Sequence, residues 1–246
     1  MSRKAALRVL ISCRTNGAWA DAALNAQIRR DGLSGADAAL CSRIVYGVLQ
    51  NQLLLDHYLE AYCSQKPDHL QPPLLDILRI GAYQILFLDK IPESAAVNEA
   101  VDLAKRYCKK QKNAAPLVNG VLRNAVRSRD TLKAPTDLAT KYSHPAGLVA
   151  LLKSYVGESR LEKMLQANNA APDTVVQVNT LKTTAARLLV RLEAEGVEAV
   201  PHGWMENCLV LKNTGALEKL PAFLEGEFYV QASTPQFFGI PSGYSW

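Results

Sequence analysis

The sequence predicts a mainly α-helical chain: an all-α bundle, then a connecting pair of helices, then a small α+β unit. Three observations carry that prediction. Apolar residues recur at intervals of three and four through most of the first 130 positions, the period of a helix with one buried face. β-branched alternation is missing from that stretch and begins only near residue 174, where short strand-like runs alternate with a helical one, as in α+β units. Turn-forming residues punctuate the helical stretches at Asp31-Gly32, Lys66-Pro67, Asp89–Pro92 and Lys112–Pro116.

The chain opens with an amphipathic pattern in which Ala6, Leu7, Leu10 and Ile11 are the apolar positions. Arg8 interrupts the apolar run, so this is a packed helix rather than a secretory leader. Residues Ala38–Leu55 form a further helical pattern. In Leu74–Leu88 the residues Leu74, Leu75, Ile77, Leu78, Ile85, Leu86 and Leu88 fall mainly on one side. Pro92 cannot continue that helix, and Ser94 is placed to cap the next. Pro116 suits the first turn of a helix over Leu117–Arg127. Gly81 and Gly120 lie inside helical patterns at an intrinsic cost of about 1 kcal/mol each, which predicts close helix approach at both. Asn98 and Asn119 interrupt apolar segments, and a buried amide must be satisfied, so hydrogen bonds to neighbouring loops are expected there.

Residues 131–143 are polar and irregular and make the linker. Ser143 is expected to cap a helix with Pro145 in its first turn and Gly157 at its end, with a second helix over Ser159–Asn168. Thr174–Asn179 reads as a strand and Thr184–Glu195 as a helix closed by Gly196. Val197–Val200, Cys208–Lys212 and Phe228–Gln231 read as further strands, and the final FFGIPSGYSW fits no element. The organisation is therefore a bundle over 1–135, connecting helices over 136–170, an α+β unit over 171–231 and an irregular tail over 232–246. Phe223, Phe228, Phe237 and Phe238 are expected to be exposed if the α+β unit lacks a covering partner.

Composition is that of an ordinary globular chain, 246 residues with 48% hydrophobic and 21% charged. No apolar run reaches the roughly 18 residues of a membrane span, so a cytosolic protein with no membrane partner is expected. Cys13, Cys41, Cys63, Cys108 and Cys208 are odd in number and never in CxxC spacing. That argues against a disulfide scaffold and a structural zinc site and leaves buried reduced thiols. His57, His69, His144 and His202 lack ligand-like spacing, so no metal site is expected. Glu93, Glu99 and Asp102 could share a face but sit in the N-terminal half of a helix, where acids complement the dipole. GxGxxG, GxxxxGK, HExxH and GxSxG are all absent.

Charge is unevenly distributed. Residues 1–130 hold 18 Lys or Arg against 12 Asp or Glu, whereas 131–246 hold 10 against 11. Between Leu103 and Arg129 there are eight Lys or Arg and no Asp or Glu. Some of these cations belong near helix C-termini in any solvated helix. A run of this density also creates a positive field suited to phosphates, whose binding is salt-dependent through counterion release. Lys105, Arg106, Lys109, Lys110, Arg123 and Arg127 are the expected phosphate contacts.

The segments RIGAYQILFLDKIPESAAVNEAVDLAK (79–105) and LVNGVLRN (117–124) resemble the N-terminal NusB-like domain of the bacterial Sun/Fmu ribosomal RNA methyltransferases. ALRVL (6–10), ADAAL (20–24) and DAALCSRIVYGVLQNQLLLD (37–56) follow the same pattern. YSHPAGLVALLKSYVG (142–157), VNTLK (178–182) and GEFYVQ (226–231) are similar to that family's connecting region, its small RRM-like subdomain and the segment before its catalytic fold. The resemblance implies a NusB-like helical bundle that binds RNA or protein, in a cytosolic enzyme acting on small-subunit rRNA. There S-adenosylmethionine methylates cytosine C5 after a cysteine thiolate adds to C6, and a second cysteine assists release. The target base must be single-stranded or flipped.

The family's catalytic cysteines and Gly-rich cofactor loop lie beyond the position of Gln231, in a Rossmann-like domain. The resemblance therefore implies no catalytic residue, no bound cofactor and no complete Rossmann domain within 1–246, with S-adenosylmethionine the cofactor of the full-length family. Gln177 stands where the family usually has Arg, and ASTPQFFGIPSGYSW departs from it. The expectation is an RNA-binding portion that positions ribosomal RNA for a C-terminal catalytic domain outside this chain. The alternative is a stand-alone NusB-like module that engages ribosomal or transcription proteins in antitermination. The β-containing residues 174–231 weigh against that alternative.

Overall fold

The computed structural model describes residues 1–63, 66–212, 214 and 217–231. Packing divides the chain into two units, Met1–Asn169 and Ala170–Trp246. The first holds helices α1 (Ser2–Asn16), α2 (Ala20–Arg30), α3 (Gly35–Gln50), α4 (Gln52–Glu60), α5 (Pro72–Phe87), α6 (Glu93–Tyr107), α7 (Ala114–Ser128), α8 (Leu138–Lys141), α9 (Ala146–Val156) and α10 (Glu158–Asn169). Helix α5 lies at its centre and packs against α1, α3, α4, α6 and α7. Residues Leu74 through Ile85 are buried without interruption, so the helix is enclosed on every side and not only on the apolar face that the sequence indicated. Leu7, Ile44, Leu55, Ile77, Ile80 and Leu122 are fully buried around it, each stabilising the fold by about 1.5–3 kcal/mol.

Three polar residues of α5 are buried in this core, and each is satisfied. Gln84 donates to the Ile80 carbonyl at 3.0 Å and accepts from Arg3 Nε at 2.6 Å. Asp76 takes Arg14 Nη2 at 2.7 Å and Arg79 Nη1 at 3.6 Å. Arg79 also binds Asp56 through two nitrogens. This network joins α1, α4 and α5. Burial outweighs the two guanidinium groups and lifts the Asp76 carboxyl above its ordinary range.

Several local expectations need correction. The α6 N-cap is Pro92, with no side-chain cap bond, and Ser94 is the second residue of the helix. Ser143 does not cap α9, whose N-cap is Pro145. Ser143 instead takes a left-handed φ of 55°, and its Oγ accepts from the Leu53 N–H at 2.9 Å. The linker carries one ordered turn, α8, capped by Asp137 accepting from the Thr140 N–H at 2.8 Å. Gly81 meets the close-approach expectation: a Cβ there would lie 2.4 Å from Leu122 Cδ1. Gly120 does not, because nothing lies within 4 Å of its Cβ position. The connecting helices are tied to the bundle by Gln50 Nε2 donating to the Asn169 carbonyl at 2.8 Å, and Asn169 Nδ2 donates within the connecting region to the Tyr142 carbonyl at 2.8 Å.

The second unit runs β1 (Thr174–Val178), α11 (Ala185–Ala194), β2 (Glu198–Pro201), β3 (Cys208–Lys212), α12 (Pro221–Leu224) and β4 (Phe228–Val230). The sheet order is β2-β3-β1-β4 and every pairing is antiparallel. This is the split βαββαβ topology, with a four-residue turn of helix in the second helical place. Val176, Leu209, Leu211 and Phe228 from the sheet pack with Leu188 and Leu192 of α11. Thr184 caps α11, and Gly196 ends the turn after it with φ 78°. Phe228 is 2% exposed and Phe223 packs beside it, so neither is the exposed aromatic expected. Phe237 and Phe238 lie outside the described residues. Among the described residues no helix is long and apolar enough to cross a membrane.

Candidate nucleic-acid interface

Helices α6 and α7 form a hairpin with a short turn, so they run antiparallel. That geometry separates the six basic residues nominated from the sequence into two groups. Lys105 and Arg106 occupy the last turn of α6, where cations complement the dipole, and Lys109 and Lys110 lie in the turn that follows. All four are exposed. Arg123 and Arg127 lie nine and thirteen residues into α7, which places them roughly 14 and 20 Å along the helix from its start. They are therefore at the opposite end of the hairpin, beside the start of α6. Linear adjacency in the sequence makes one cluster; the hairpin makes two.

The lysine-rich end is open. Lys105 is 63% exposed and approaches Asp102 at 3.2 Å. The other three cations of this group have no carboxylate partner among the described residues. A surface ion pair of this kind contributes about 0–1 kcal/mol and is screened by salt, so Lys105 remains available to an anion.

The arginine end is more structured. Arg123 Nε donates to Asn119 Oδ1 at 3.0 Å, and Arg127 Nε to the Arg123 carbonyl at 3.4 Å. The two lie one helical turn apart on the same face. Opposite them Glu93, Ser94, Val97 and Asn98 of α6 complete a groove of about 420 Å³ that Val126 also lines. Asn119 is thus a positioning partner on its own helix and Asn98 is exposed at the groove. Neither is the buried amide expected: Asn98 is exposed and Asn119 is half-buried. Arg129, the eighth cation of the run, is neutralised by Asp89 at 2.9 Å and Glu93 at 3.7 Å. Those acids precede the acid-free stretch in sequence, so only the fold reveals the compensation.

Cys41, Cys108 and Cys208 are buried and Cys13 and Cys63 partly so, and none is in a disulfide. Burial pushes every one of these thiols up, that of Cys41 to about 11, the opposite of an activated nucleophile. Among the described residues no group of three His, Cys, Asp or Glu is arranged to hold a metal ion. His144 Nδ1 lies 2.7 Å from the Tyr142 carbonyl in a local turn.

Of the groove residues, Arg123 and Arg127 were named from the sequence, whereas Glu93 and Ser94 escaped it because they read as helix-start residues. The buried Asp76–Arg79 pair did leave a signal, two opposite charges three apart in the otherwise apolar LLDILRIGAY.

The NusB family model matches residues 1–127. A model described as the Methyltr_RsmF/B-like, ferredoxin-like domain matches residues 144–218. The chain is 34% identical over 234 residues to the probable ribosomal RNA small subunit methyltransferase B of Bacillus subtilis, covering 93% of this chain and 52% of that protein. It is 31% identical to the protein of the same description from Synechocystis, over 96% of this chain and 54% of that protein. The chain thus spans about half the length of the curated relatives it matches. The crystal structure of PH0851 shares the fold, with a TM-score of 0.64 and 21% identity over 92% of this chain and 52% of that one.

Proposed function

Because this chain belongs to the NusB family and carries an RsmF/B-like ferredoxin-like domain after its helical bundle, we propose that it is the RNA-binding portion of a small-subunit ribosomal RNA methyltransferase. Its role is to hold ribosomal RNA for S-adenosylmethionine-dependent methyl transfer to a cytosine C5. The observation that carries this reading is the α6–α7 hairpin, which presents Lys105, Arg106, Lys109 and Lys110 at one end and Arg123 and Arg127 at the other. Phosphates spaced along one RNA strand can meet both ends. The names of the relatives, ribosomal RNA small subunit methyltransferases, support RNA as the partner. The cytosol is the compartment where such a substrate is found, and ribosomal proteins around the same RNA are the protein partners this reading includes.

The division of labour follows from the chemistry. Lys and Arg here neutralise backbone phosphate and carry no sequence information. The base that reacts is presented to chemistry that the thiols of this chain, all raised by burial, do not supply. Simultaneous charge reversal at Lys109, Lys110 and Arg127 tests the proposal by RNA affinity measured across a salt series. Three fewer phosphate contacts reduce the slope of log K against log salt by about 2, at roughly 0.7 per contact on a single strand. Unchanged affinity and unchanged slope would remove these residues from the interface.

A further inference from the structure

The groove between the start of α6 and the end of α7 has features that a phosphate-tracking surface does not need. Arg123 and Arg127 each commit only Nε to their own helix, so among the described residues both terminal nitrogens of each guanidinium are unengaged. Like charges one turn apart repel, and no carboxylate bridges them, although Glu93 lines the same groove. Glu93 instead lies toward Arg129. Between the guanidinium wall and the α6 wall the floor is apolar, formed by half-buried Val126 over the buried Val97. The volume of about 420 Å³ falls within the range of roughly 300–1,000 Å³ usual for small-ligand clefts.

We propose that this groove takes one unstacked nucleotide of a single-stranded RNA. Its phosphate lies on Arg123 and Arg127, its base covers Val97 and Val126, and Glu93 and Asn98 meet the base edge. The inference rests on the RNA-binding reading above and adds a subsite to it. Three demands of the groove select this ligand. The arginine pair requires an anion whose oxygens can accept from both forks. The valine surface requires an apolar or planar body. Glu93 accepts hydrogen bonds only, whereas Asn98 both donates and accepts, so the same body needs an N–H donor at its edge. A nucleotide supplies all three. An acidic peptide side chain supplies the anion without the planar donor-bearing body. A duplex keeps its bases stacked and cannot enter, which fits the general preference of base-reading proteins for single-stranded RNA.

The test compares the intact chain and its variants on two probes, a single-stranded RNA nonamer and a blunt RNA duplex of equal length. Asn98→Trp fills the groove at an exposed helical position without changing charge. It is expected to weaken single-strand binding about tenfold, the loss of one charge-assisted contact set, while duplex affinity is unchanged. Arg123→Gln with Arg127→Gln is expected to act likewise, and Lys109→Gln with Lys110→Gln to weaken both probes alike. Crosslinking of a 4-thiouridine-containing nonamer to the unmodified chain gives a readout independent of variant folding, with adducts expected within 93–98 or 123–127. Binding of both probes without single-strand preference, or crosslinks confined to other segments, would overturn the subsite and leave the RNA reading standing. Absence of binding to either probe would overturn both. Protection of the groove by an acidic peptide but not by RNA would reassign it to a protein partner and end this proposal.

Discussion

The Arg79 guanidinium holds Asp56 through both carboxylate oxygens, Nε to Oδ1 at 2.8 Å and Nη2 to Oδ2 at 2.6 Å, from a side chain only 7% exposed. Its third nitrogen faces Asp76 at 3.6 Å. Replacing Arg79 by Met therefore leaves Asp56 without this partner and Asp76 with Arg14 alone. Removal of one partner of a buried ion pair costs about 3–5 kcal/mol, and urea unfolding of the Arg79→Met chain should show a loss of that size. Arg79→Lys should lose a substantial part of it, because an ammonium cannot reproduce the two-pronged geometry.

Asp76 makes a prediction about pH. Its folded carboxyl titrates above the ordinary value of 3.8, with burial as the main cause. The folded state thus holds this proton more tightly than the unfolded chain. The associated stability is fully present below the unfolded value and is lost as pH rises through the folded one. The stability difference between the parent chain and Asp76→Asn should therefore move against the parent as pH rises from about 3 through the range just above the unfolded carboxylate value. A difference constant with pH would contradict this.

Two glycines inside helices should respond oppositely to alanine. At Gly81 a Cβ would meet Leu122 Cδ1 at 2.4 Å and Cδ2 at 2.9 Å, so Gly81→Ala should destabilise by about 1–3 kcal/mol through overpacking. The far end of a leucine can move, and Leu122→Ala in the same chain should remove that clash at the expense of a cavity. At Gly120 the space is open, and Gly120→Ala should stabilise by about 0.5–1 kcal/mol through helix propensity. Thermal melts of the two single variants in parallel give the signs.

Arg129 separates structural from binding cations. It is held by Asp89 and Glu93, so Arg129→Gln should leave the salt slope of RNA binding unchanged while lowering stability by no more than about 1 kcal/mol. Lys109→Gln with Lys110→Gln should do the reverse. Equal effects of the two changes on RNA affinity would show that charge count, and not position, governs the surface.

Periodicity and punctuation alone located the helices that line both basic groups. The spacing of Leu74, Ile77, Leu78 and Ile85 identified α5, and Pro116 marked the first turn of α7. The α+β unit was legible from alternation and from Gly196, down to a third strand that coincides with Cys208–Lys212. Such features depend on contacts within a few residues or on the repeat of a helix or strand, and a linear sequence records those directly.

What required the fold lies between segments far apart in the chain. Glycine in a helix carries the same intrinsic cost at 81 and 120, yet only Gly81 faces a neighbour; the sequence also gave no notice that Gly47 leaves room for the Tyr83 ring, whose Cζ would lie 1.9 Å from a Cβ there. The basic run from Leu103 to Arg129 was visible as composition. Its division into a lysine turn and an arginine groove, and the neutralisation of Arg129, follow from folding α7 back along α6. Sequence thus determined which residues are charged and which helices carry them. Only tertiary structure decided which charges stand together, because electrostatic fields depend on distance through space, and a hairpin reorders distances that the chain alone lists by number.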